Sequence, residues 1–184
     1  MTPSDATLVA KPTRRIADEE AIFRSLFEAT YDDLLSFVER RIHPAVAEDV
    51  VAEVFLTAWR RLEDVPRDLD SARAWLFTVG HHTLRNRRRS DRRQQAVALR
   101  ILREPGAGDV QPVDVPARVD LTQAWDRLSP GDQEVIALTV VEGLTGPQAA
   151  RVLGISGATF RLRLLRARRR LRTHLSSTAH RENQ

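Results

Sequence analysis

The sequence predicts an all-α protein: two small helical domains joined by a flexible Pro/Gly linker, the C-terminal one a helix-turn-helix. Three observations predict this class. Apolar residues recur at intervals of three and four along most of the chain, and no stretch alternates as a strand would. Residues 103–120, REPGAGDVQPVDVPARVD, carry three prolines and two glycines without a helical period, which is linker composition. Residues 142–171, EGLTGPQAARVLGISGATFRLRLLRARRRL, place a first-turn proline, a small-residue pair, a glycine and a serine cap where two crossing helices need them. The expected division is a flexible tail at 1–17, a helical domain at 18–102, the linker at 103–120, a helix-turn-helix domain at 121–175 and a frayed tail at 176–184.

The totals narrow the function classes. A chain of 184 residues has room for one domain or two small ones. The net charge is only +4, but all but one of the basic residues is arginine and these cluster. Arginine stays charged and forks onto phosphate and guanine. With no cysteine, disulfides, Cys-based zinc sites and thiol redox sensing are excluded. No apolar run is long enough for a membrane span and residues 1–15 show no signal-peptide pattern, so a cytoplasmic protein is expected.

Taken in order, the first helical segment spans about residues 18–42, with Ile22, Phe23, Leu26, Phe27, Leu34, Leu35, Phe37, Val38 and Ile42 as its apolar set. A joint is expected near Thr30 and Tyr31, and Pro44 ends the segment. Residues 46–62 form a second helix. Ala47, Val50, Val51, Val54, Phe55, Ala58 and Leu62 make its inner face, with Trp59 at the margin. Its outer face carries Asp49, Glu53, Leu56 and Arg60, so Leu56 is an apolar residue among charges.

A polar loop with Pro66 follows, and Asp70 or Ser71 can cap the next helix. That helix turns Ala72, Trp75, Leu76 and Val79 inward and then becomes basic in the run GHHTLRNRRRSDRR. Arg85, Arg87, Arg88, Arg89, Arg92 and Arg93 fall within about three turns. Like charges at this density repel by a few tenths of a kcal/mol (~0.2–0.5) per i,i+4 pair, and a polyanion would relieve them. A solvated charge run is the commoner meaning of such a strip; a second basic helix later in the chain raises the nucleic-acid reading above it.

Beyond the linker, Leu121, Ala124, Trp125 and Leu128 open the second domain. Ser129 caps a helix with Pro130 in its first turn and Asp132 near its positive end, and Gly143 stops it. Pro147 starts a short helix, Gly154 turns the chain in a left-handed conformation and Ser156 caps the last helix. In that helix Phe160, Leu164, Ala167 and Leu171 form the buried stripe. Leu162, Leu165, Arg166 and Arg169 point away from it, flanked by Arg161, Arg163 and Arg170. Such a helix can enter a DNA major groove, its early residues meeting base edges and later arginines meeting phosphates.

The histidines point elsewhere than metal chemistry. His81 and His82 stand about 100° apart on a helix and do not readily share an ion. No paired carboxylates, nucleophile setting or Gly-rich phosphate loop accompanies them, so no catalytic residue, metal or cofactor is expected. Trp59, Trp75 and Trp125 lie on or beside apolar stripes as core residues.

Three stretches in this order resemble one family. They are EDVVAEVFLTAWRRL at 48–62, ARAWLFTVGHHTLRNRRR at 72–89 and LSPGDQEVIALTVVEGLTGPQAARVLGISGATFRLRLLRARRRL at 128–171. Together they resemble the extracytoplasmic-function (ECF) subfamily of bacterial RNA polymerase sigma factors, within the sigma-70 family. The resemblance covers most of the chain outside the tails and linker. It implies an initiation factor that is not an enzyme, binds core RNA polymerase, directs it to promoters and helps open them. By the resemblance, residues 18–102 are region 2-like and 121–175 region 4-like. Asp49, Glu53, Leu56 and Arg60 would face the polymerase. The loop at 64–71 would hold an extruded base of the non-template single strand, and His81, His82, Arg85, Asn86, Arg88 and Arg89 would follow the minus-10 strand. Thr159, Arg161, Leu162, Arg163 and Arg166 would contact the minus-35 duplex.

The sequence departs from the family pattern at three places. His81-His82 replaces an Arg-Asn pair. Pro147-Gln148-Ala149-Ala150 replaces a Glu-Ile-Ala run. Leu162 stands where a small polar residue is common; it can meet a thymine methyl, or join Leu165 in an apolar patch for a protein partner. Many members are held by an anti-sigma protein, a further partner class to which no residue here is assigned. Two rival functions are a stand-alone repressor or activator binding duplex DNA as a dimer, and a nuclease or recombinase with a DNA-binding tail. The lack of clustered carboxylates or a nucleophile setting weighs against the second.

Overall fold

A computed structural model describes residues 10–98 and 116–182, with side chains at 17–90 and 121–176. Among these residues there are seven α-helices and no strand. The helices are α1 (Ala10–Glu39), α2 (Ala47–Arg60), α3 (Leu69–Ala98), α4 (Pro116–Asp126), α5 (Pro130–Val140), α6 (Gly146–Leu153) and α7 (Gly157–Glu182). Internal contacts divide the chain into two units, Met1–Arg88 and Arg89–Gln184.

Three helices start earlier or end later than the apolar pattern suggests, whereas the C-terminal ends of α1 and α2 fall at Glu39 and Arg60, short of the expected Ile42 and Leu62. α1 begins at Ala10, inside the expected tail, and passes unbroken through Thr30. α4 begins at Pro116, inside the expected linker, and α7 continues to Glu182, through the segment expected to fray. The cause is the placement of breakers. No proline or glycine lies between Pro12 and Pro44, between Gly80 and Pro105, or after Gly157. Without one a helix extends beyond its buried part. Thr30 does not interrupt α1 because its hydroxyl donates to the Leu26 carbonyl at 2.7 Å. The rest of the expected tail and linker, residues 1–9 and 99–115, and residues 183–184 lie outside the described residues.

In the first unit the core is built from α1, α2 and α3. Leu34, Phe37 and Val38 of α1 are buried together with Val50, Val51, Val54, Phe55 and Ala58 of α2. α3 crosses α1 at Gly80, where an added Cβ would stand 3.5 Å from both Leu34 and Phe37. One turn earlier Phe77 stacks on Phe37, with ring centroids 4.5 Å apart and planes 8° apart. The inward set of α3 is therefore wider than Ala72, Trp75, Leu76 and Val79. Ala74, Phe77 and Leu84 are buried, whereas Trp75 and Val79 are only half-buried. Phe77 and Gly80 meet α1, and the buried residues of α3 are spread over more than a single stripe.

The second unit packs α4, α5 and α6 on α7. Leu128, Ile136 and Ala167 form a buried cluster, with Trp125, Leu164 and Leu171 against it. The small pair Ala149 and Ala150 is buried where α6 meets α7, and Phe160 is completely covered. Among the described residues two glycines take positive φ, Gly143 and Gly154, both at 65°. Each lies just past a helix end, where a left-handed residue closes the last turn at little cost only when it lacks a Cβ.

Candidate DNA and partner surfaces

The turn between α6 and α7 sets the direction of the basic helix. Gln148 accepts the Thr145 N–H at 2.8 Å, closing the first turn of α6. The Gly154 N–H returns to the Arg151 carbonyl and the Ile155 N–H to that of Ala150, each at 3.0 Å. Ser156 then accepts the Thr159 N–H at 3.1 Å and caps α7. The Thr159 hydroxyl lies 2.8 Å from the Ser156 hydroxyl, so it takes part in the cap. Gln148, at a position that departs from the family pattern, thus acts as a capping residue.

Burial fixes how α7 is rolled. Phe160 and Ala167 are buried and Leu164 and Leu171 half-buried, as the stripe requires. Arg161, Leu162, Arg163 and Arg166 are all exposed, with Leu162 at 46% and Leu165 at 63%. Arg170 behaves differently: it meets Asp132 at 2.6 Å, and Asp132 also accepts the Ser129 hydroxyl at 2.8 Å. This tie fastens α7 to the start of α5. Gln133 donates to the Trp125 carbonyl at 2.9 Å, a structural bond of the same kind.

In the first unit, Asp49, Glu53, Leu56 and Arg60 share the exposed face of α2. Leu56 is 48% exposed and Trp59, beside it, 39%. Trp59 meets Phe23 edge to face with centroids 5.2 Å apart, and Phe23 also packs on Phe55. Trp59 is thus the rim of an aromatic group that continues through Phe27 and Tyr31, a grouping not apparent from one helix at a time.

On α3, His82, Arg85, Asn86, Arg88 and Arg89 are exposed and His81 half-buried. The His81 and His82 rings stand 6.2 Å apart at 81°, so they do not converge. Among the described residues no three metal-ligating side chains gather. Arg88 donates to the Arg41 carbonyl at 2.7 Å, which draws its guanidinium toward the end of α1. Arg87, outside the predicted contact set, reaches Glu53 at 3.4 Å and so joins the basic helix to the exposed face of α2. Thirty-four positions separate the two, and no local pattern announces the pair. The side chains of Arg92 and Arg93 lie outside those described.

The loop before α3 is held at both ends. Arg61 pairs with Asp64 at 2.8 Å. Asp68, not Asp70 or Ser71, caps α3, accepting the Ser71 N–H at 2.8 Å. Hydrogen bonds from the Ser71 hydroxyl and N–H hold the Asp68 carboxyl below its ordinary value of 3.8. The Asp-x-x-Ser spacing was the available signal. Leu62, Val65, Pro66 and Leu69 of this segment face Ile22, Ser25, Leu26 and Ala29 of α1 across a groove of about 760 Å³.

Comparison with known proteins agrees with this arrangement. Residues 26–94 match the family described as Sigma-70 region 2, and residues 118–171 match Sigma-70, region 4. The chain is 35% identical over 139 residues to the RNA polymerase sigma factor CnrH of Cupriavidus metallidurans, covering 67% of this chain and 70% of that protein. It is 33% identical over 172 residues to the ECF RNA polymerase sigma factor SigL of Mycobacterium tuberculosis, covering 91% and 96%. In fold it is similar to the sigma factor RpoE of Bartonella quintana, solved with the anti-sigma factor NepR, at a TM-score of 0.50 and 23% identity over 89% of this chain and 97% of that one. No described helix is long and apolar enough to cross a membrane. The chain belongs to the sigma-70 family of RNA polymerase sigma factors, in its ECF group.

Proposed function

We propose that this protein binds core RNA polymerase in the cytoplasm, carries it to specific promoters and helps separate the strands, without catalysing a reaction itself. The observation that carries the proposal is the presence of two exposed arginine surfaces, on α3 and on α7, lying in the segments that match regions 2 and 4. The α2 face of Asp49, Glu53, Leu56 and Arg60 docks on the polymerase. His81, His82, Arg85, Asn86, Arg88 and Arg89 follow the minus-10 single strand, beside a capped loop that holds an extruded base. Thr159, Arg161, Leu162, Arg163 and Arg166 read the minus-35 duplex. Phosphate contacts supply affinity and make it depend on salt, while base edges supply specificity. Residues 18–102 and 121–175 act as the two working domains. An anti-sigma protein is a partner of the class seen with RpoE of Bartonella quintana.

The test is co-purification with core polymerase followed by run-off transcription on a promoter library. The expected result is a stable complex and transcripts that need this protein. Tight binding to a palindromic duplex by the protein alone, with no association with polymerase, would overturn the proposal in favour of a stand-alone regulator.

A further inference from the structure

Leu162 and Leu165 are large, apolar and open to solvent on a helix whose other large exposed side chains, among those described, are polar or charged. Ala158 is exposed one turn before Leu162. At about 100° per residue, the three lie within about 60° of one another, opposite the buried Phe160 and Ala167. They form a strip along the first two turns of α7, the part of a recognition helix that lies deepest in a groove. We propose that Ala158, Leu162 and Leu165 read thymine C5-methyl groups in the duplex held by α7. The inference rests on the reading of α7 as the minus-35 reader and adds the base class that it selects.

Three features favour DNA over an apolar protein surface as the occupant. The strip is fenced by exposed Arg161, Arg163, Arg166, Arg168 and Arg169, and α7 carries no carboxylate before Glu182. That charge suits a polyanion. The thymine methyl is the apolar group a major groove offers at its floor, and alanine and other small apolar groups contact it. Along the helix axis Leu162 and Leu165 are about 4.5 Å apart, close to the ~3.4 Å step between neighbouring bases of one strand. The strip therefore fits thymines at adjacent or nearly adjacent positions. The Thr159 hydroxyl, engaged with Ser156, leaves its methyl as the part best placed to add to this surface.

The experiment uses the full chain with core polymerase on a promoter selected from a randomised library. The minus-35 window is made with thymine or with deoxyuridine, which lacks only the methyl. With the unsubstituted protein, uracil at the contacted positions should weaken binding about fourfold per methyl, the worth of one buried carbon. The Leu162→Ser/Leu165→Ser double variant should lose the discrimination at the positions the two leucines contact and keep only the share of Ala158, whereas Leu162→Met should retain it. Equal binding of thymine and uracil promoters by the unsubstituted protein, while a scrambled minus-35 window still abolishes binding, overturns the strip and leaves the minus-35 reading standing. Indifference to the scrambled window overturns both.

Discussion

At the residue scale, single side chains either hold the working surfaces in place or form them. Asp68 belongs to the first kind. Its carboxyl is held below 3.8 by Ser71, so its capping contribution is complete above the ordinary carboxylate value and is lost as pH falls through the depressed one. A carbon-detected NMR titration should place its midpoint below 3.8, and Ser71→Ala should raise it; an unmoved midpoint would remove Ser71 as the cause. Glu53 and Leu56, both exposed on α2, belong to the second kind under the proposed function. Replacing both with alanine should weaken polymerase binding at least tenfold, on the order of 1.4 kcal/mol, with helix content unchanged in circular dichroism. Unchanged affinity would mean that the docking face lies elsewhere, with Trp59 and its aromatic neighbours the next surface to test. Arg166→Ala should lower minus-35 binding and, if it meets a phosphate, reduce the salt slope by about 1. Arg170 should not behave this way, because it spends its guanidinium on Asp132.

At the element scale, the helix-turn-helix was legible in nearly every part. Pro147, Gly154, Ser156 and the stripe from Phe160 to Leu171 stand where the spacing put them, because caps, left-handed turns and buried stripes are local properties. The outer face of α2 was legible for the same reason. What was not legible depended on a second element. Phe77 is buried against Phe37 of α1, and Arg87 finds Glu53 only across the fold. The start of α1, the start of α4 and the end of α7 were placed too short, because an apolar pattern marks the packed part of a helix and not its full length, whereas α1 and α2 stop at Glu39 and Arg60, before the expected Ile42 and Leu62. The capping residue of α3 was misplaced by two or three positions, although Asp68 and Ser71 carry a readable spacing. Packing of α7 depends on its fully covered ring. Phe160→Ala should cost the second unit about 3–5 kcal/mol and lower its melting temperature, measured by calorimetry, while the first unit keeps its own transition. A single unshifted transition would mean that Phe160 does not anchor α7.

At the scale of the whole molecule, two helical units each present an arginine surface, and the sequence separates them by a Pro/Gly-rich stretch. We propose that the two surfaces do different work: α3 follows an unpaired strand, and α7 reads paired DNA. Neither surface shows this by charge alone, since phosphate attracts arginine in both settings. The distinction comes from what surrounds each one, a capped loop before α3 and a capped helix with an apolar strip in α7. The most direct measurement is site-specific photo-crosslinking in the reconstituted polymerase complex on a promoter. A photoreactive residue at position 82 or 86 should label the non-template strand in the minus-10 region, and one at position 158 should label the minus-35 duplex. Labelling of the minus-35 duplex from position 82 or 86, or of no DNA at all, would contradict the division of labour.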